Sequence, residues 1–396
     1  MTQNTRSRLF KGIGRNVILL GFVSLFTDLS SQMVFPLIPL YLTGVLGASA
    51  YVVGIVEGAA ETTASLLKVV SGYWSDKIKR RKPFVLAGYG LSSLAKPLFA
   101  IANAWPFVLG VRVLDRVGKG LRDAPRDALV AENTDKDVLG KSYGYQRSMD
   151  GLGSVLGALL AFILLPILGY KNIFSLAAFP GILAILTILF VKEKIAKKDE
   201  VKKEPLKINF KVLSPNLKLF IIVTAVFSLG HFGYAFLLLK AKAIGFSDNT
   251  TISLYAFFYL VYTVVTIPAG IISDKIGRKP LLLLGYALFA LTCVGMIFAN
   301  SIYSLVFFFA LYGIFYALID GTQRAFIVDL APKNLKATAL GTLQTAIGVV
   351  ALPGGFLAGI LWDKFGYEAT FIYGAGLSLI ALALFLFIKT PKQVEA

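Results

Sequence analysis

Ionisable side chains recur at helical spacing inside otherwise apolar stretches of this sequence. Asp28 and Gln32 are four apart, and Asp28 is the only charge in its stretch. Glu57, Glu61 and Lys68 differ by four and seven positions, which places them in one stripe of a helix. Arg112, Asp115, Arg116 and Lys119 repeat the i, i+3, i+4, i+7 pattern, and Gln146, Arg147, Asp150 and Gly153 line up likewise. Such groups are costly in lipid, about 2.5–3.5 kcal/mol each on insertion scales, so they must face one another or a water-filled cavity. One reading is a charge network that binds a coupling ion and switches partners. The other is a static set of ion pairs that fixes helix register. For Asp28 the first is favoured, because a carboxylate whose partner changes between two conformations carries a proton by construction. His231, the only histidine, is a second proton candidate. Its alternatives are a neutral ring bonded to a neighbouring helix and a polar contact for substrate.

The elements that must carry these groups are membrane helices. The chain has 396 residues, 56% hydrophobic and only 16% charged, against roughly 25% charged in a soluble domain. Twelve stretches are long enough to span a bilayer: 17–43, 50–70, 83–103, 104–124, 143–165, 171–191, 217–240, 251–273, 280–299, 303–325, 338–361 and 368–388. An open sheet edge cannot face lipid and the runs are too long for barrel strands, so an all-α membrane protein is expected. Spans 6, 9 and 12 hold no interior charge and span 3 holds only Lys96. Helices 3, 6, 9 and 12 are therefore expected on the lipid-facing outside, with Lys96 snorkelling near its outer end.

The net charge of +18 tempts a nucleic-acid reading, but its distribution excludes one. Lys and Arg crowd the N-terminus and the gaps after spans 2, 6 and 8, and are missing from the gaps after spans 1, 3 and 9. That alternation places both termini in the cytoplasm of an inner-membrane protein. The first apolar run is about twice signal-peptide length and contains Asp28, Pro36 and Pro39, so it reads as a first span despite Ala48-Ser49-Ala50. The single cysteine, Cys293, forms no disulfide within the chain, and with one histidine no Cys/His zinc site assembles. No cofactor or metal is expected, and no nucleophilic constellation points to an enzyme.

Gly72-x-x-x-Asp76-Lys77 recurs as Gly270-x-x-x-Asp274-Lys275, an offset of 198 (274 less 76). Arg126 recurs as Arg324, Gln146 as Gln344 and Gly157 as Gly355 at the same offset. The expected organisation is a duplication: an N-terminal six-helix bundle at 1–191, a Lys-rich cytoplasmic linker at 192–216 and a C-terminal bundle at 217–396. Parallel repeats of this kind face each other across a midplane site. The charges concentrate in the first half. The second half carries rings on spans 7 and 8: Phe227, Phe232, Tyr234, Phe236, Tyr255, Phe257, Phe258, Tyr259 and Tyr262. Packing is the default role for each, but some are expected to line a pocket.

Two familiar patterns fail. Gly151-x-Gly153-x-x-x-Gly157 lies within a membrane helix, where small-residue packing explains it. Gly140-Lys141-Ser142 lacks the glycine a phosphate loop needs, since position 135 is Asp135. By contrast, Gly-x-x-x-Asp-Lys-x-Gly-Arg-Lys at 270–279 resembles the signature loop of the major facilitator superfamily. The N-terminal copy, 72–81, departs at Lys79, where the family usually has Gly. In the family this loop latches the cytoplasmic side, and the resemblance extends that role to Gly72, Asp76, Lys77, Arg80, Gly270, Asp274, Lys275 and Arg278. Gly would allow close helix approach, and Asp would accept bonds from a facing helix N-terminus. Arg116-x-x-Lys119-Gly120 resembles the span-4 motif Arg-x-x-Gln-Gly of drug/proton antiporters, with Lys in place of Gln. That resemblance links Arg116 to proton coupling. Gly153 and Gly157, with Pro353-Gly354-Gly355 in span 11, partly resemble the antiporter helix-5 motif, whose Pro span 5 lacks.

The expected proton-coupling set is Asp28, Arg116, Glu57, Glu61, Asp150 and His231. The expected substrate cavity is formed by Gln32, Arg112, Arg147, Gln146, Phe227, Tyr234, Tyr255 and Tyr259. The expected fold is that of the superfamily, twelve helices in two pseudo-symmetric bundles. The expected function is proton-coupled secondary transport by alternating access, with efflux of an amphipathic compound first. Uptake of a small polar or anionic solute comes second, since Arg112, Arg116 and Arg147 suit an anion. A lipid or lysolipid translocator is third, and a non-transporting membrane sensor is the reading from another class. Expected partners are the lipid bilayer, a small-molecule substrate and protons, with the chain acting as a monomer and no nucleic acid.

Overall fold

The structure is a computed structural model that describes residues 13–134, 138–193, 213–332 and 335–389. Most of the expected linker, 194–212, lies outside the described residues. Among those described the fold is all-helical, with no strand. Among the described residues, nine helices are long and apolar enough to cross a membrane. One of these, Leu139–Leu189, runs for 51 residues and is broken at Gly169, whose φ of 71° only glycine adopts cheaply. Two further helices, Ala50–Ile78 and Trp105–Glu132, are as long as their neighbours but carry the charged stripes. In chain order the segments are α1 Arg15–Val45, α2 Ala50–Ile78, α3 Lys82–Ile101, α4 Trp105–Glu132, α5 139–168, α6 170–189, α7 Pro215–Ala243, α8 Asp248–Ile276, α9 Arg278–Phe298, α10 Ile302–Leu330, α11 Lys336–Phe365 and α12 Tyr367–Leu386.

Several helices outrun their apolar stretches at the face where Arg15 begins the first helix. α2 continues to Ile78 and α4 to Glu132, several residues past the ends that hydropathy suggests. Hydropathy reports the lipid-immersed length, while the added turns are polar. α1 and α7 are interrupted instead. α1 gives way at Pro36 and ends in a π-turn at Tyr41–Val45. α7 breaks between Gly230 and Ala235, with Gly233 at φ 77°.

Packing repeats between the two halves. α1 lies on α5 and α6, α2 on α4, and α3 on α4 and α6. α7 lies on α11 and α12, α8 on α10, and α9 on α10 and α12 in the same way. The two sets meet where α2 packs along α11 and α5 along α8. α6, α9 and α12 present rows of exposed apolar side chains, such as Phe179, Ile182 and Leu186 on α6. Lys96 departs from expectation. It is fully buried, and its ammonium donates to Ser30 Oγ of α1 at 2.9 Å. Depth along the helix suggested snorkelling, but α3 turns this residue inward, toward α1.

Glycine permits the closest approach. A Cβ on Gly54 of α2 would sit 2.0 Å from the Gly355 carbonyl of α11, so the two backbones touch directly. Gly153 and Gly157 bring α5 onto the Leu25 and Leu29 carbonyls of α1, the small-residue packing expected of that stretch.

Candidate functional site

A cavity of about 790 Å³ lies between the two sets of helices, and its lining is most exposed toward the face where α1 begins, at Arg147 and Arg324. No residue of α3, α6, α9 or α12 lines it. Its two walls differ in chemistry. The first half supplies a charged wall from α1, α2, α4 and α5. Arg112 donates to Glu57 at 2.7 Å and lies 3.8 Å from Asp115. Arg116 lies 3.7 Å from Asp115, and both guanidiniums stack on Phe35, at 4.1 and 4.3 Å from its ring centre. Asp115 also accepts from Ser92. Lower on the wall, Lys68 lies 3.9 Å from Asp123, and Asp150 lies 3.8 Å from both Arg126 and Arg147.

The second half supplies a wall of rings. Phe227, His231, Tyr234, Tyr259, Tyr262, Tyr312, Phe315 and Tyr316 all line the cavity. Many meet edge to face, as Tyr262 does with Tyr316 at 5.2 Å. Asp320 and Arg324 pair at 3.0 Å and are charged groups on this wall. The lining carboxylates and lining cations are equal in number, so the wall is balanced overall.

The far end is closed by bonds between the halves. Gln32 of α1 accepts from Tyr255 at 2.6 Å and donates to Tyr259 at 2.8 Å, both on α8. Tyr170, at the start of α6, donates to Asp248 of α8 at 2.6 Å. Asp363 of α11 accepts from the backbone N–H groups of Ala50 and Tyr51 at 3.0 and 2.9 Å, so it caps α2.

Most of the expected residues converge here. Asp28, Glu57, Glu61, Asp150, His231 and Arg116 all line the cavity, as do Gln32, Arg112, Arg147, Phe227, Tyr234 and Tyr259. Gln146 and Tyr255 do not line it. Gln146 is buried, with neither side-chain atom hydrogen-bonded among the described residues. Tyr255 is fully buried behind Gln32. Arg116 is turned to Asp115 and Phe35, not to Asp28. Asp28 makes no hydrogen bond or ion pair among the described residues, and Glu61 only accepts from Ser65 at 3.0 Å. His231 sits at the break in α7, 3.2 Å from the Tyr312 hydroxyl and 5.6 Å from the Phe227 ring it stacks on. Lining residues that the sequence reading did not place in the site include Arg122, Asp123, Asp127 and Asp320. The i, i+3, i+4 stripe of α4 continues into the first three, and only Asp127 lies beyond the apparent end of the span at 124.

The sequence model of the Major Facilitator Superfamily matches residues 20–247 and 219–396. The chain belongs to the major facilitator superfamily. An uncharacterized MFS-type transporter of Methanocaldococcus jannaschii is 40% identical over 384 residues, 95% of each chain. The multi-drug resistance efflux pump PmrA of Streptococcus pneumoniae is 34% identical over 128 residues, 32% of each chain. The crystal structure of the nucleoside transporter NupG superposes with a TM-score of 0.76 at 13% identity, over 95% of this chain and 99% of that one. That likeness carries the fold. The protein is thus a multi-pass integral membrane protein of a transporter family.

The two superfamily signature loops lie at the open face, and their geometry corrects the sequence reading. In the second copy Arg278 pairs with Asp274 at 3.0 Å and also with Asp329 at the end of α10. In the first copy the same work falls to Arg81, which pairs with Asp76 and with Glu132 of α4. Arg80, the arginine placed in the latch by the resemblance, makes no ion pair with Asp76 among the described residues. Arg81 and Arg278 are 197 apart (278 less 81) where the aspartates are 198 apart, so the first turn is one residue longer. Lys79 holds the left-handed conformation there, φ 57°, in place of glycine. Lys77 lies over the Trp74 ring at 5.1 Å. Gly72 approaches Ala124 of α4, but a Cβ on Gly270 would meet nothing within 4 Å. The close approach expected of Gly270 is therefore missing, although both loops tie together helices of their own half.

Proposed function

We propose that the protein is a proton-coupled secondary transporter that expels amphipathic small molecules by alternating access. All twelve segments cross the cytoplasmic membrane as one monomeric chain, divided at 1–191, 192–216 and 217–396, with both termini inside. The open face is then cytoplasmic. The closed far face, bonded through Tyr170–Asp248 and Asp363–Ala50, is the outer gate. The signature loops, paired within their own halves, are unlatched.

The observation that carries this reading is the asymmetry of the cavity. A ring-lined wall suits the apolar body of a substrate, and a charged wall faces it across the same space. On the charged wall Asp28 lines the cavity without a bonded partner, the condition for taking a proton in one state and losing it in another. The balance of lining charges favours an amphipathic compound over a small anion. The partial similarity to a multi-drug efflux pump supports the direction.

The reading is tested in proteoliposomes with ethidium as the amphipathic probe. An imposed pH gradient should drive ethidium across the membrane, and collapsing the gradient should stop it. Ethidium movement indifferent to the gradient, or none with a panel of amphipathic dyes, would overturn the proposal.

A further inference from the structure

Lys119 is the residue at which this chain departs from the antiporter span-4 motif, with an ammonium where the family carries Gln. It lines the cavity on the stripe of Arg112 and Arg116. It makes no hydrogen bond or ion pair within 4 Å among the described residues, although it stands amid carboxylates. Its place is fixed by its neighbours. Arg116, one turn before it, lies on Phe35 of α1. Gly120, one residue after it, packs against Ala64 and Leu67 of α2, and its carbonyl accepts from Ser71 at 2.7 Å. Lys119 therefore sits where α4 passes between α1 and α2.

The charges that face it are Asp28 from α1, Glu61 from α2, and Arg116 and Asp123 from its own helix. Asp123 is already shared with Lys68 at 3.9 Å. Asp28 is faced in turn by Asp150 of α5, by Arg122 and Arg126 of α4, and by Lys96 of α3 behind it. Arg126 is held by Asp127 at 3.0 Å and Lys96 by Ser30 at 2.9 Å. Asp28 and Glu61 are thus two carboxylates without an ion-pair partner within 4 Å, and Lys119 is a cation in the same condition beside both.

We infer that Lys119 is the shared counter-charge of Asp28 and Glu61, and that its movement between them passes the charge state of α1 to α2. The inference rests on the proton-coupled reading above. With Asp28 ionised, the ammonium is drawn to α1. With Asp28 neutral, it turns to Glu61, the other carboxylate it faces. Glu61 is well placed to report that change. It accepts from Ser65, and Ser65 is the residue that Gly348 of α11 faces across the interface between halves. Thr62, the next residue, donates to the Gly348 carbonyl at 2.6 Å. A glutamine at 119 would bond to either carboxylate but would not follow the charge.

The test needs no substrate. Full-length protein in lipid nanodiscs is titrated by infrared difference spectroscopy, and the carboxylic acid band lost in Asp28→Asn identifies Asp28. Lys119→Gln, a residue the family accommodates there, should move the titration midpoint of that band by about one pH unit or more. Lys119→Met should move it as far, and Glu61→Gln should move it the opposite way. Lys119→Arg should restore the wild-type midpoint, because it keeps the charge. An unmoved midpoint in Lys119→Gln, or a shift in Lys119→Arg as large as in Gln, would overturn the inference while leaving Asp28 as the proton site. A titration in which Asp28→Asn removes no band would overturn the proton reading itself.

Discussion

Tyr170 donates a 2.6 Å hydrogen bond to the Asp248 carboxylate, and through it the start of α6 in one half holds the start of α8 in the other. Lys242 lies 2.6 Å from the same carboxylate. The pseudo-symmetric place, the start of α2, is held by Asp363. Both ends of the far-face contact are therefore tied by a polar side chain reaching across the halves. Removing the Tyr170 hydroxyl should cost about 1 kcal/mol, roughly a fivefold change in the closed-to-open ratio. The readout is a cysteine at Ser31, which lines the cavity, with Cys293 replaced by Ser. Impermeant maleimide added from the far side should label it about fivefold faster in Tyr170→Phe, the same ratio carried into the labelling rate.

The tight seam between α2 and α11 makes a second prediction. Gly355→Ala would place a methyl group 2.3 Å from the Gly54 carbonyl, a backbone atom that cannot swing aside. The helices must separate at that end, at a cost of about 1–3 kcal/mol. Maleimide labelling from the far side should rise, and the thermal midpoint in detergent should fall.

Lys79 and Gly277 occupy matching turns at the open face, with φ of 57° and 90°. The left-handed conformation costs a non-glycine residue about 1 kcal/mol. Lys79→Gly should relieve part of it and raise the thermal midpoint slightly. Gly277→Lys should lower the midpoint by more, since φ 90° with ψ 161° is open almost only to glycine.

Arg112 is 1% exposed and donates to Glu57 at 2.7 Å, with Asp115 farther off at 3.8 Å. Glu57→Ala should destabilise the protein by about 1.5–3 kcal/mol, because it removes the hydrogen-bonded partner of a buried guanidinium and leaves only the longer Asp115 contact. The double variant Glu57→Ala, Arg112→Met should recover much of that loss. Thermal unfolding of the set in one detergent measures both effects.

Much of the architecture was legible because a bilayer is a severe filter. Apolar length marked the spans, and the charged stripes at Glu57, Arg112 and Gln146 marked the helix faces that meet water. The 198-residue offset exposed the repeated packing. What stayed hidden depended on rotation and on single residues. Lys96 lies at the depth expected, but α3 turns it inward onto Ser30, which hydropathy does not report. Arg81 replaces Arg80 because one added residue in the first turn shifts the offset between the copies from 198 to 197, as the matching bonds of Lys82 to Leu189 and Lys279 to Leu386 show. Gln146 and Tyr255 share stripes with lining residues, yet both are buried away from the cavity, Tyr255 behind the Gln32 it bonds. The break in α7 at His231 was signalled only by Gly230 and Gly233, which membrane helices often carry without breaking.

The central claim is that Asp28 carries the coupled proton. Its most direct test is ethidium flux in proteoliposomes driven by a fixed pH gradient, comparing the wild type with Asp28→Asn. Gradient-driven flux should fall at least about tenfold in Asp28→Asn, while ethidium exchange without a gradient persists, since the ring wall that holds the dye is untouched. Gradient-driven flux in Asp28→Asn equal to that of the wild type would contradict it.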